Sequence, residues 1–110
     1  MGRRQIRQIG DTRTAIAAKL YRPDKTIEDL TGLTVNFAMY DTEGTAKVEE
    51  TSEHVTVTDA EAGEVQYDPQ AADVDTVGTF YAYFIIEEND AKDTFPAVKG
   101  DLIIDIQDVA

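Results

Sequence analysis

The stretch Thr79-Phe80-Tyr81-Ala82-Tyr83-Phe84-Ile85-Ile86-Glu87 decides the fold. It holds no Gly or Pro and is rich in aromatic and β-branched residues, which suit a pleated strand better than a helix. In an extended chain Phe80, Ala82, Phe84 and Ile86 point to one side and Tyr81, Tyr83 and Ile85 to the other. Both sides are largely apolar. Such a strand belongs in the middle of a sheet, one face in the core and the other covered by a neighbour or a partner.

Working outward, Glu88-Asn89-Asp90-Ala91 reads as a hairpin tip, Thr94-Phe95-Pro96 as the start of a return strand, and Leu102, Ile104 and Ile106 alternate with Ile103, Asp105 and Gln107 in a last strand. Upstream, Val65 and Tyr67 share one face of a short strand that follows the break at Ala62-Gly63. Asp68-Pro69 then predicts one turn of helix through about Val74, with Asp at the N-cap and Pro at the first helical position. Val55 and Val57 lie in a further strand, and Ala46 to Glu50 in a short edge strand whose acids discourage pairing with other chains. Val35, Phe37 and Met39 alternate before the turn Asp41-Thr42-Glu43-Gly44, and Ile16, Ala18 and Leu20 before the turn Pro23-Asp24-Lys25. Turns every eight to twelve residues between about seven strands predict an all-β fold, an immunoglobulin-like antiparallel β-sandwich. Its expected core is Val35, Phe37, Phe80, Phe84, Leu102 and Ile104. The Cys pair and the Trp of antibody domains are absent.

The chain has 110 residues, enough for one domain. Its net charge of -12 is unevenly spread. Residues 1–25 carry seven of the ten basic residues and two acids, a balance of +5, and the remainder carries -17. We expect a basic arm over residues 1–9 and a single domain over residues 10–110. The acidic body repels phosphates and anionic lipid, so neither nucleic acid nor membrane is an expected partner. Arg3, Arg4 and Arg7 supply the arm's charge, and Ile6 and Ile9 a small apolar anchor. The arm is expected to be loose in the free chain and to dock on an acidic surface. Tyr81, Tyr83 and Ile85 form a second expected protein-contact face, because tyrosine offers an apolar body with a polar tip.

Signs of chemistry are sparse. Without Cys there is no thiolate nucleophile, disulfide or Cys-ligated zinc, and His54 alone cannot make a two-imidazole site. The acidic clusters Asp73-Val74-Asp75 and Glu87-Glu88-Asn89-Asp90 do not match the calcium loop, and the glycines stand singly rather than in a phosphate-binding loop. No catalytic residue, metal ligand or cofactor is therefore expected. Gln5-Ile6-Arg7-Gln8 follows the basic opening where a secretion signal would need an apolar stretch, and no apolar run could span a bilayer. The chain is expected to start in a cytoplasm.

The order of short motifs carries a resemblance. Gly10-Asp11-Thr12 precedes the first strand, Asp29-Leu30-Thr31-Gly32 precedes Val35-Asn36-Phe37-Ala38-Met39, and Gly63 to Tyr67 follows. Next come Asp75, Gly78-Thr79-Phe80, Ala82 and Phe84, then Thr94-Phe95-Pro96 before Leu102-Ile103-Ile104. From Gly10 to Ile106 the chain resembles the small immunoglobulin-like domains of tailed-phage virion proteins, and is similar to the N-terminal domain of the baseplate upper protein. One departure is Phe80, where such domains usually carry a Tyr whose hydroxyl ties a corner. The resemblance implies a non-enzymatic virion part, of tail, baseplate, neck or capsid surface, that contacts other virion proteins and further copies of itself. The chain looks like that domain standing alone. The alternative is a carbohydrate-binding or adhesion module using the tyrosines, against which the absence of Trp weighs.

Overall fold

The computed structural model describes residues 3–21, 26–95 and 102–108. Among them the chain forms nine strands: β1 (Arg3–Gln8), β2 (Ile16–Lys19), β3 (Thr34–Asp41), β4 (Ala46–Thr51), β5 (Val55–Asp59), β6 (Glu64–Tyr67), β7 (Gly78–Glu88), β8 (Ala91–Phe95) and β9 (Leu102–Gln107). A 3-10 turn, Ala71–Val74, is the one helical element among the described residues. Six strands make one sheet in the order β1-β9-β7-β3-β4, with β8 also paired to β7, and β2-β6-β5 make a second. The protein is an all-β, two-sheet sandwich.

The central position expected for β7 is observed. It pairs with β3 along one side, and with β9 and then β8 along the other. Its eleven residues at ~3.3 Å each reach about 36 Å, most of the molecule's 42 Å long axis. Phe80, Ala82, Phe84 and Ile86 all face the core. So do the other expected core residues, Val35, Phe37, Leu102 and Ile104. Phe37 joins the sheets: its ring stacks on Tyr67 of β6 at 4.1 Å and 9°, and meets Phe84 edge-on at 5.1 Å. Each such buried aromatic contributes about 1.5 to 3 kcal/mol relative to an exposed one.

Turn chemistry fixes the registers. Asp41 Oδ1 accepts from the amides of Glu43 and Thr45, and Gly44 takes a positive φ, so β3 and β4 close as a hairpin. Asn89 and Asp90 both have positive φ (50° and 69°). That is the mirror-image turn whose twist matches the strands it joins. Gly63 (φ +69°) is required by space as well: a Cβ there would stand 2.8 Å from the Glu28 carbonyl and 2.9 Å from that of Leu20.

Four expectations need correction. Residues 3–8 form no loose arm; they are β1, paired in parallel with β9, so the sandwich is not wholly antiparallel. The return strand after β7 begins at Ala91 rather than Thr94, because the two-residue turn at Asn89-Asp90 lets pairing start at Glu88 and Ala91. The 3-10 turn is capped by Gln70, not Asp68: the Asp73 carboxylate accepts from the Gln70 amide. Nine strands replace about seven, β1 having no alternating pattern of its own. The turn expected at Pro23-Asp24-Lys25 and the continuation at Pro96 lie outside the described residues.

Candidate protein-binding face

The side of the six-stranded sheet that turns away from the core gathers most of the expected contact residues. Cross-strand register sets Tyr81 opposite Tyr40, Tyr83 opposite Ala38 and Ile85 opposite Asn36 on β3. On the other flank Tyr81 pairs with Ile103 and Thr79 with Asp105. Parallel pairing adds Arg4 beside Ile103 and Ile6 beside Asp105. Residues directly opposite in neighbouring strands lie on the same face. Arg4, Ile103, Tyr81 and Tyr40 therefore form one row, with Ile6, Asp105 and Thr79 in the row beside it. The expected arm residues Arg4 and Ile6 and the expected face Tyr81, Tyr83 and Ile85 thus belong to a single surface.

Its centre is apolar and aromatic. The Tyr40 and Tyr83 rings meet edge-on at 6.0 Å, over the buried Ala38. Ile85 is only 6% exposed, Tyr40, Tyr81, Tyr83 and Ile103 are half-buried, and Ile6 at the corner is 63% exposed. Burial, with the neighbouring phenols of Tyr40 and Tyr81, pushes the Tyr83 hydroxyl above its ordinary pKa, so it stays a neutral donor.

The rim is polar and paired. Asp105 accepts from Arg4 Nη1 and Thr79 Oγ1, both at 2.7 Å. Its side chain is 8% exposed against 57% for Arg4, so the arginine supplies the partner that a nearly buried carboxylate needs. At the far end Asn36 Nδ2 donates to Glu50 Oε2 (2.8 Å) and Glu87 Oε1 (3.3 Å), while Lys92 Nζ bonds Glu50 at 2.9 Å. The Lys92 ammonium, then the Asn36 amide, hold the Glu50 carboxyl below its usual range.

Not every expected contact residue reaches this surface. Arg7 is buried (5% exposed) and donates to the carbonyls of Asp11 and Thr14 and to Gln5 Oε1. Its guanidinium pins the segment leading to β2 and is spent within the chain. Burial lowers its pKa, partly offset by Asp11. Arg3 takes its place in β1 opposite Leu102. Tyr67 belongs to the core, its hydroxyl donating to Asp73 Oδ2 at 2.5 Å. His54 is an exposed turn residue with positive φ.

The cluster Asp73-Val74-Asp75 has partners inside the protein, and in the second cluster Glu87 accepts from Asn36. Asp75 pairs with Lys47 and accepts from Thr76, and Asp73 is held by Tyr67 and Gln70. Among the described residues no three His, Asp or Glu side chains converge as metal ligands. Sequence reading did not single out Asn36, Ile103 or Asp105 for the face. The one available signal was Asp105, a lone acid within the apolar run Leu102 to Ile106.

A family model described as the BppU N-terminal domain matches residues 3–99. No curated protein matches the chain.

Proposed function

The chain belongs to the BppU (baseplate upper protein) N-terminal domain family, and on that premise we propose that it is a non-enzymatic structural component of a tailed-phage baseplate, working through protein contacts within the virion. The family match over residues 3–99 carries this reading. The outer face of the six-stranded sheet supports it, since an aromatic centre ringed by paired charges is how protein interfaces are composed. Arg4, Ile6, Tyr81, Tyr83 and Ile85 are its contact residues, with Arg7 holding β1 in place and Arg3 proposed as a further contact residue of that strand. The partners are other virion proteins and further copies of this chain, with no nucleic acid or membrane among them.

The immunoglobulin-like description is supported by strand order. β2-β6-β5 facing β9-β7-β3-β4 follows the succession of the two sheets in variable-type immunoglobulin sandwiches. The chain is made in the host cytoplasm and ends in the particle. Nothing in the family match favours the carbohydrate-binding alternative.

Quantitative mass spectrometry and imaging of purified virions test the proposal. The expected result is a stoichiometric component located at the baseplate. Absence from particles, or location on the capsid alone, would overturn it.

A further inference from the structure

We propose that the outer face of the six-stranded sheet pairs with the same face of a second copy across a two-fold axis, an inference that rests on reading that face as a contact surface. The first reason is charge. On this face Arg4 is paired with Asp105 and Lys92 with Glu50, whereas the chain as a whole carries -12. Two such acidic bodies repel each other over most of their surfaces, and the repulsion is reduced where both basic residues of the face stand beside acids.

The second reason is where the charges sit. Arg4 lies on β1 in the Tyr81 row. Glu50 lies on β4, bonded to Asn36 in the Ile85 row. They stand at diagonally opposite corners, with Tyr83 between them. A two-fold axis lying in the interface at Tyr83, perpendicular to that diagonal, exchanges the corners and sets each copy's Arg4 over the other's Glu50 and Glu87. Arg4 keeps donors to spare, because one Nη1 bond to Asp105 uses only part of a guanidinium with five N–H groups. The Tyr40–Tyr83 pair and Tyr81 meet their counterparts at the centre. The contact is self-complementary, as a two-fold interface must be.

The size of the face sets the strength. Four strand spacings of ~4.8 Å by eight residues of ~3.3 Å give on the order of 500 Å² per copy. A stable complex buries about 800 Å² per partner, so this dimer is weak when free and gains from the high local concentration of an assembled particle.

Sedimentation of the full chain from micromolar to millimolar concentration tests the pairing. The wild type is expected to shift from monomer to dimer. Tyr83→Lys at the centre and Ile6→Lys at the exposed corner should each weaken the dimer at least about tenfold with an unchanged circular-dichroism spectrum, while Thr56→Lys on the other sheet should not. A wild type that stays monomeric throughout, face variants that dimerise like the wild type, or an equal loss with Thr56→Lys would each overturn the proposal. The underlying reading is separable by counting copies in virions. A monomeric wild type whose Tyr83→Lys variant fails to enter particles keeps the contact face and assigns it to another protein. A wild-type dimer whose Tyr83→Lys variant enters particles normally keeps the pairing and removes its part in the virion.

Discussion

Tyr67 fastens two elements at once. Its ring stacks on Phe37 in the core and its hydroxyl anchors Asp73, which in turn receives the Gln70 amide and holds the 3-10 turn against β6. Burial first, and the Asp73 carboxylate second, push the Tyr67 hydroxyl well above the ordinary tyrosine value. Above pH ~10 the unfolded chain releases this proton while the folded chain keeps it. The folded state then binds more protons, so stability falls as pH rises. Tyr67→Phe should cost about 1.5 kcal/mol near neutrality and flatten the alkaline decline, as read from urea unfolding at a series of pH values. An alkaline slope as steep as that of the parent would mean that another group titrates. The shared face of Val65 and Tyr67 was visible in the alternation. The tie to Asp73 was not, because it depends on how the turn after Pro69 folds back.

β7 and β1 stand at opposite extremes of legibility. β7 declared itself through two apolar faces and a β-rich composition, and both its central position and its core side followed. Arg-Arg-Gln-Ile-Arg-Gln contains one apolar residue and reads as a charged tail. Its strand conformation comes from outside the segment: the backbone of β9, the buried Asp105 that Arg4 satisfies, and the carbonyls of Asp11 and Thr14 that receive Arg7. The candidate face shared this fate, since its tyrosines were legible but only the β1–β9 register shows that Arg4 and Ile6 lie beside them. From the sequence, deletion of residues 1–8 would leave stability unchanged. From the structure it uncovers the edge of β9 and strands the Asp105 carboxylate, with an expected loss of about 3 kcal/mol or more. Denaturant unfolding of the truncated chain decides, and a midpoint equal to the parent's would return β1 to the status of a tail.

For the molecule as a whole, acids outnumber bases by more than two to one. The ion pairs Lys92–Glu50 and Lys47–Asp75 are exposed on at least one side, and pairs of that kind add little to stability. Repulsion among the surplus carboxylates is the larger effect, and it is relieved when the screening length shrinks from about 10 Å in 0.1 M salt to about 3 Å in 1 M. Sodium chloride should therefore raise the thermal midpoint. A midpoint that falls with salt would show that the pairs outweigh the repulsion.

The parallel union of β1 with β9 also orders events in time. Residues 102–107 are translated after every other described strand, yet they lie between β1 and the long β7. The Arg4–Asp105 contact spans 101 positions of the chain, and sheets closed by such distant pairings fold slowly. Until β9 leaves the ribosome, Leu102, Ile104 and Ile106 are missing from the core, and Arg4 and Ile6 have no sheet to lie on. A polypeptide broken off before that point lacks the strand on which the outer face is built, so the face exists only once the last described strand has been made.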